Sequence, residues 1–463
     1  MRATLPAEEA EPLPHEGAAQ ASRQLSASVL ALLRRRDQRH KGELYVNGLL
    51  STPGRKTMRN LAASTGERSA EQSLHHFISC STWDWAPLRA ELTTRLDRLL
   101  APRAWVLRPL VIPKTGRHSV GVGRRFVPQL GQVVNSQQGY GLWLASGAAS
   151  VPVNWRLSLS GDWLEDSELR QRAAIPDSLD TGAPEQLVLD MVRETAGWGA
   201  SAAPVVADAR EEAVVPLLEA LSGAGLPFLL RVGDDTGLLA PDLSAGRGPV
   251  VSGPAGRLVE LARTQRRPVD WFDPAVPELP RTSLVALLPV RLPGTAARLS
   301  LVGVWSPDRR EVAELWLTSL AGASRGVLLG LGRMLGRVDT DFTGTTLSVG
   351  ALDFEGRSYR GWHRHVTLVS LAHALRLLGT HRGRDALTPV PAKRVRRSPV
   401  RFGQRPEGAR AVSICGCAAM GVPPGSSEAE NVGERPATTG PQTIDGPSRP
   451  RGGAAYRHGP RSA

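Results

Sequence analysis

Cysteine is nearly absent from this chain: Cys80, Cys415 and Cys417 are the whole complement. Three thiols cannot build a disulfide framework, and their positions do not match the paired spacing of a zinc site. Cys415-Gly416-Cys417 lies in a low-complexity tail and reads as incidental thiols rather than metal ligands. Long apolar runs are also missing. No stretch approaches the roughly 18 apolar residues that a membrane span needs. The N-terminus is Pro- and Glu-rich and then amphipathic, without the charged-then-apolar order of a signal peptide. These absences point to a cytoplasmic protein. Lysine is scarce, occurring only at positions 41, 56, 114 and 393. Gly121 and Gly123 do not make a dinucleotide loop, because they lie in a strand-like run with no third glycine and no following helix.

What the chain has in excess is arginine. The formal net charge is +13 and the isoelectric point is near 10.7, which favours a polyanionic partner. Two features temper that reading. Heavy use of Arg, Ala, Gly and Pro is also what GC-rich codons produce. After residue 385 there are 12 basic and 5 acidic side chains, so the tail holds a surplus of seven and the body is only mildly basic.

At 463 residues the chain is long enough for two or three domains. Residues 1–20 are acidic and lack apolar period, so they read as disordered. Residues 21–100 read as a helical N-terminal domain. Leu25, Val29, Leu30, Leu32 and Leu33 make one apolar face, and Leu88, Leu92, Leu96 and Leu99 make another. The stretch 56–79 has the pattern of a helix-turn-helix, a pattern that any helical bundle shares. From 103 the period shortens to that of strands, over 104–110, 120–127, 133–144 and 153–159. Pro204–Asp208 is a short apolar strand ending in an acid, followed by a helix over 211–222 and a strand over 227–232. This alternation predicts an α/β sheet over 101–232. A β-rich insertion is predicted over 233–325. A weak helix follows over 326–345, poor because of its glycines, and then an amphipathic helix over 362–378. From 385 to 463 the Pro-, Gly- and Arg-rich composition predicts disorder.

Two blocks carry a resemblance. The first is Pro113-Lys114-x-Gly116 with Arg117-His118-Ser119-Val120-Gly121-Val122-Gly123-Arg124, continuing through Gln129-Leu130-Gly131, Asn135, Gln137 and Gly139, then Trp155-Arg156-Leu157, Trp163 and Arg170 to Pro176. The second is Phe354-Glu355-Gly356-Arg357-Ser358, with Arg360-Gly361-Trp362-His363 and His365. Over about 40–380 the chain resembles the DDE (Asp-Asp-Glu) transposases of bacterial insertion sequences, in the branch with a β insertion before the last catalytic helix. The resemblance implies a ribonuclease H-like mixed sheet flanked by helices. It also implies double-stranded DNA as partner and an assembly of two or more protomers, a homodimer being the smallest. The implied chemistry is phosphodiester cleavage and strand transfer with Mg²⁺ or Mn²⁺ held by three convergent carboxylates.

Residue by residue, the carboxylates do not all carry over. The first should stand at 108 or 109, where this chain has Arg108 and Pro109. The second matches Asp208, although the Gly-Tyr-Gly that usually follows is replaced by Arg210-Glu211-Glu212. The third matches Asp339, sixteen residues before Glu355, and a DNA-contacting Lys seven residues on is replaced by Thr346. Asp208 and Asp339 are therefore the candidate catalytic and metal-binding residues. Read without the resemblance, Asp208 is a helix N-cap and Asp339 a solvated loop residue. Glu355 is a substitute ligand or a hydrogen-bonding partner near Arg357. Lys114, Arg117, His118, Arg124, Arg357, Arg360 and His363 are the candidate DNA contacts, against a solvated basic edge. His363 and His365, two apart, face different sides of a helix and do not make a metalloprotease pair. The function implied is DNA transposition with impaired chemistry. The alternatives are a non-catalytic DNA-binding relative that occupies terminal repeats or regulates transcription, and a decayed remnant with a frameshifted tail.

Overall fold

A computed structural model describes residues 15–65, 70–127, 131–179, 183–210, 214–241, 250–273, 276–295, 297–306 and 310–380. The tail from 385 and residues 1–14 lie outside the described residues. Within the stretch expected to lack structure, 15–20 instead begin a helix.

Five helices open the described chain: α1 (His15–Ala31), α2 (Arg36–Ser51), α3 (Met58–Thr65), α4 (Ala70–Ser79) and α5 (Ala86–Leu100). Their apolar stripes are those the periodicity predicts. Leu25, Val29, Leu30 and Leu33 of this stretch are buried, as are Leu88, Leu92 and Leu96; Leu32 instead turns outward. Helices α3 and α4 fall where a helix-turn-helix is expected, with 66–69 outside the described residues.

Next come β1 (Ala104–Pro113), β2 (Gly123–Val127), β3 (Gln132–Ala145) and β4 (Ser150–Ser158), then α6 (Gly161–Glu165), α7 (Ser167–Ala173) and α8 (Pro184–Gly197). The parallel unit β5 (Val205–Asp208), α9 (Val214–Gly223) and β6 (Phe228–Val232) follows. The strands β4, β3, β1, β5 and β6 lie side by side in that order. β3 is antiparallel to its neighbours, whereas β1, β5 and β6 run parallel. A mixed α/β sheet flanked by helices is thus present, consistent with the ribonuclease H-like expectation.

The β-rich stretch divides in two. β7 (Gly237–Pro241) and β8 (Val250–Pro254) form a separate two-stranded ribbon, followed by α10 (Ala255–Glu260). β9 (Arg267–Asp273), β10 (Val276–Val290), β11 (Leu299–Trp305) and β12 (Val312–Thr318) instead continue the main sheet, with β12 antiparallel to β6. The apolar run 299–305 is a buried strand of that continuous sheet, and 283–290 a mostly buried or half-buried one in which Pro289 is exposed.

Two helices close the described chain. α11 (Arg325–Asp341) starts at Ser324, whose hydroxyl accepts from Val327 N at 3.3 Å. It runs as a full helix although glycine lowers its propensity. One reason is Gly332: a Cβ there would lie 2.9 Å from the Trp316 ring, so the helix approaches β12 only with hydrogen at that position. A π-turn, Phe342–Thr346, follows. α12 (Tyr359–Thr380) was expected to be amphipathic and is not: residues 361–375 are buried on every side. It lies between β4 and helices α1, α2 and α4. Its polar side chains are therefore internal and must find partners inside. Arg364 donates to Trp83 O and Ile78 O, and His365 meets Tyr45 Oη at 2.9 Å. The N-terminal helices thus share one core with the sheet through α12.

Candidate active-site cleft

The parallel pairing of β1 with β5 sets Leu107 opposite Ala207. Arg108 is the next residue of β1 and Asp208 the last of β5, so the two stand side by side, Arg108 midway along its strand and Asp208 at the end of its own. α11 packs over β1 and β5 and brings in Asp339. The three positions named by the resemblance therefore do meet, in a cleft of about 930 Å³ lined by Arg108, Asp208 and Asp339 among others.

What they form is a set of ion pairs. Arg108 Nε donates to Asp339 Oδ1 at 3.0 Å, and its Nη1 to Pro109 O at 3.0 Å. The guanidinium lies 3.6 Å over the Phe342 ring. Burial pushes the Arg108 guanidinium down in pKa, opposed by the charge and hydrogen bond of Asp339. Asp208 is gripped from two residues away: Arg210 Nε reaches Oδ1 at 2.9 Å and Nη2 reaches Oδ2 at 2.7 Å, a bidentate fork. The Arg210 backbone N–H adds a bond at 3.2 Å, and Arg231 Nη1 lies 3.9 Å from Oδ2. Burial raises the Asp208 carboxyl, but the Arg210 hydrogen bonds and the charges of Arg210 and Arg231 together outweigh it and hold the carboxyl below its ordinary value.

A hard dication needs several oxygen donors converging on one point. Here two carboxylates line the cleft, each already held by its own guanidinium, and the third position carries a positive charge. Among the described residues no group of three or more His, Cys, Asp or Glu side chains could hold a metal ion. The described residues do not fit a two-metal centre.

The other predicted residues separate into exposed and internal groups. Arg117, His118, Arg124, Arg357 and Arg360 are exposed. Lys114 is half-buried, and its Nζ donates to Phe354 O at 2.5 Å. It ties the turn after β1 to the second motif block; burial and the Arg55 charge both lower its pKa. His363 is a correction: at 1 % exposure it cannot reach DNA. Its ring stacks on Trp85 at 4.8 Å, and Nδ1 meets Arg89 Nη2 at 3.1 Å. Thr346 is likewise internal, bonded to His373 Nδ1 at 2.8 Å. Glu355 pairs with Arg55 at 3.4 Å, not with Arg357.

Several motif residues turn out to hold loops by their backbone. Asn135 Nδ2 donates to Lys114 O and Gly116 O, Gln137 Nε2 to Val120 O, and Trp163 Nε1 to Val122 O. Arg170 gathers the carbonyls of Leu164, Pro176 and Leu179. Sequence reasoning missed Arg231 and the fork of Arg210 on Asp208. The Asp-x-Arg spacing at 208–210 was the one local signal for the fork.

A sequence profile described as DDE superfamily endonuclease matches residues 28–286, more than half of the chain. The chain belongs to that family. The matched stretch takes in Arg108 and Asp208 and ends before Asp339. Membership in the DDE endonucleases implies divalent-metal chemistry on a DNA substrate, which is the chemistry that these ion pairs do not accommodate. None of the curated proteins compared matches the chain. Among the described residues no helix is long and apolar enough to cross a membrane.

Proposed function

We propose that this DDE endonuclease relative binds the DNA of a bacterial insertion sequence and does not cut it. One observation carries the reading: the Arg108–Asp339 ion pair, at 3.0 Å, stands where the resemblance calls for the first and third metal-binding acids. A guanidinium there repels a dication and takes up one of the two carboxylates left to hold it. The exposed residues Arg117, His118, Arg124, Arg357 and Arg360 supply phosphate contacts, and double-stranded DNA is the partner. Descent from an active transposase accounts for the preserved strand and helix positions around a disabled centre.

The test is incubation of purified protein with supercoiled plasmid in MgCl₂ or MnCl₂. The expected outcome is salt-sensitive retardation of the plasmid with no nicked product. Metal-dependent nicking by the wild type that disappears in Asp208→Asn would overturn the proposal. Arg108→Asp, which returns an oxygen donor beside Asp208, shows in the same assay whether the remaining machinery still works.

A further inference from the structure

Among the described residues that line the cleft are five arginines and three carboxylates. Three of the arginines are matched one to one at short range: Arg108 with Asp339 at 3.0 Å, Arg210 with Asp208 at 2.7 Å, and Arg333 with Glu314 at 2.7 Å. Arg125 and Arg231 are the surplus. Arg125 donates Nη1 to the neutral Gln138 Oε1 at 2.9 Å, while its Nε and Nη2 have no partner. Ser136 Oγ, in the same part of the cleft, has none either. Arg231 lies 3.9 Å from an Asp208 oxygen that Arg210 already occupies. Buried guanidinium donors left unpaired are costly, and a planar fork suits phosphate oxygens.

The two surplus cations are not neighbours. Arg125 is on β2 and Arg231 on β6, and β3, β1 and β5 lie between those strands in the sheet order. Four strand spacings separate their backbones by on the order of 20 Å across the sheet, and the register adds an offset along the strands, since Arg125 faces Val134 of β3 whereas Arg108, level with Asp208, faces Gly141. A free phosphate or a mononucleotide cannot engage both ends, whereas a nucleotide chain can. We propose that the cleft takes an extended phosphate backbone, that of a nucleic-acid strand, directly on Arg125 and Arg231 with no divalent cation between. The centre that metal ions serve elsewhere in the family has here become a guanidinium seat for the polyanion. This rests on the DNA-binding reading above and adds to it a location and a metal requirement of zero.

The experiment uses the full chain and two probes, a fluorescein-labelled 30-base-pair duplex of arbitrary sequence and linear inorganic polyphosphate. Binding is followed by anisotropy, directly or by competition, in EDTA and in MgCl₂. The wild type is expected to bind the duplex equally in both, within about 2-fold. Arg125→Gln/Arg231→Gln is expected to weaken binding by about 10-fold or more and to reduce the slope of log K against log salt by roughly two. A thermal melt confirms that the variant folds, and the comparison of EDTA with MgCl₂ needs no variant. Duplex binding that EDTA abolishes overturns the proposal. Equal binding by wild type and variant also overturns it, while leaving DNA binding at other surfaces intact. Polyphosphate binding lost in the variant, with no duplex binding by the wild type, keeps the polyanion seat and removes DNA as its occupant. Failure of both probes removes both readings.

Discussion

Acid should unfold this protein through α12 before its carboxylates titrate. His365 and His373 are fully buried and neutral. Each makes two bonds that suit one tautomer: Nε2 faces a carbonyl (Gly350 O or Ser150 O, both at 2.9 Å) and Nδ1 faces a hydroxyl (Tyr45 or Thr346). Burial pushes each imidazole down to about 4, against the partial opposition of the carbonyl bond. His363 is also held well below its ordinary value, by burial and by the charges of Arg89 and Arg156. In the unfolded chain these rings titrate near 6.5. Between the two values the unfolded state binds more protons, so stability is fully present above about pH 6.5 and declines as the pH falls toward 4. Linkage with a folded value near 4 gives a loss of about 2 kcal/mol per histidine by pH 5, or about 4 kcal/mol for the pair. That is a large part of the roughly 5–15 kcal/mol typical of a domain. Urea titrations followed by tryptophan fluorescence at pH 7.5 and pH 5.0 measure it. His365→Gln/His373→Gln should be less stable at pH 7.5 but markedly flatter with pH. The reasoning fails if the wild type changes by less than about 1 kcal/mol between the two pH values, or if the double variant keeps the full slope.

Two further substitutions test the packing that sets the cleft. Arg89 is 1 % exposed and bonds Thr367 Oγ1, Asn154 Oδ1, Trp155 O and His363 O, joining α5, β4 and α12. Arg89→Met should leave these acceptors unpaired and cost roughly 3–5 kcal/mol in urea unfolding; a cost near zero would show that the hub is dispensable. At Gly139 a Cβ would lie 2.9 Å from Arg156 O and 3.3 Å from the Trp362 ring. Gly139→Ala should lower stability by about 1–3 kcal/mol, while Gly147→Ala, with no heavy atom within 4 Å of its added Cβ, should leave the melting temperature unchanged.

Much of the fold was legible locally. The strand runs at 104–110 and 299–305, the acid at the end of β5 and the stripes of α1 and α5 follow from apolar period and turn residues, because half-burial imprints a period on the chain. The helix over 325–341 was underestimated because propensity penalises its glycines, while Trp316 packing against Gly332 repays that penalty only once β12 is in place. The apolar residues of α12, interspersed with polar ones, predict an amphipathic helix. Its polar residues are internal because sheet and N-terminal helices enclose it from both sides.

The residue types at positions 108, 208 and 339 were set by sequence alone, and with them the presence of a guanidinium rather than a carboxylate beside Asp208. Apart from the local Arg210–Asp208 fork, which cation answers which carboxylate was settled only by tertiary structure. Arg108 and Asp339 meet across 231 residues, through the β1–β5 register and the lie of α11 over both strands. Arg231 reaches Asp208 because β6 pairs with β5. Periodicity reports how deeply a side chain is buried, but ion pairing depends on which strand and which helix end up adjacent. That adjacency is a non-local property of the folded chain.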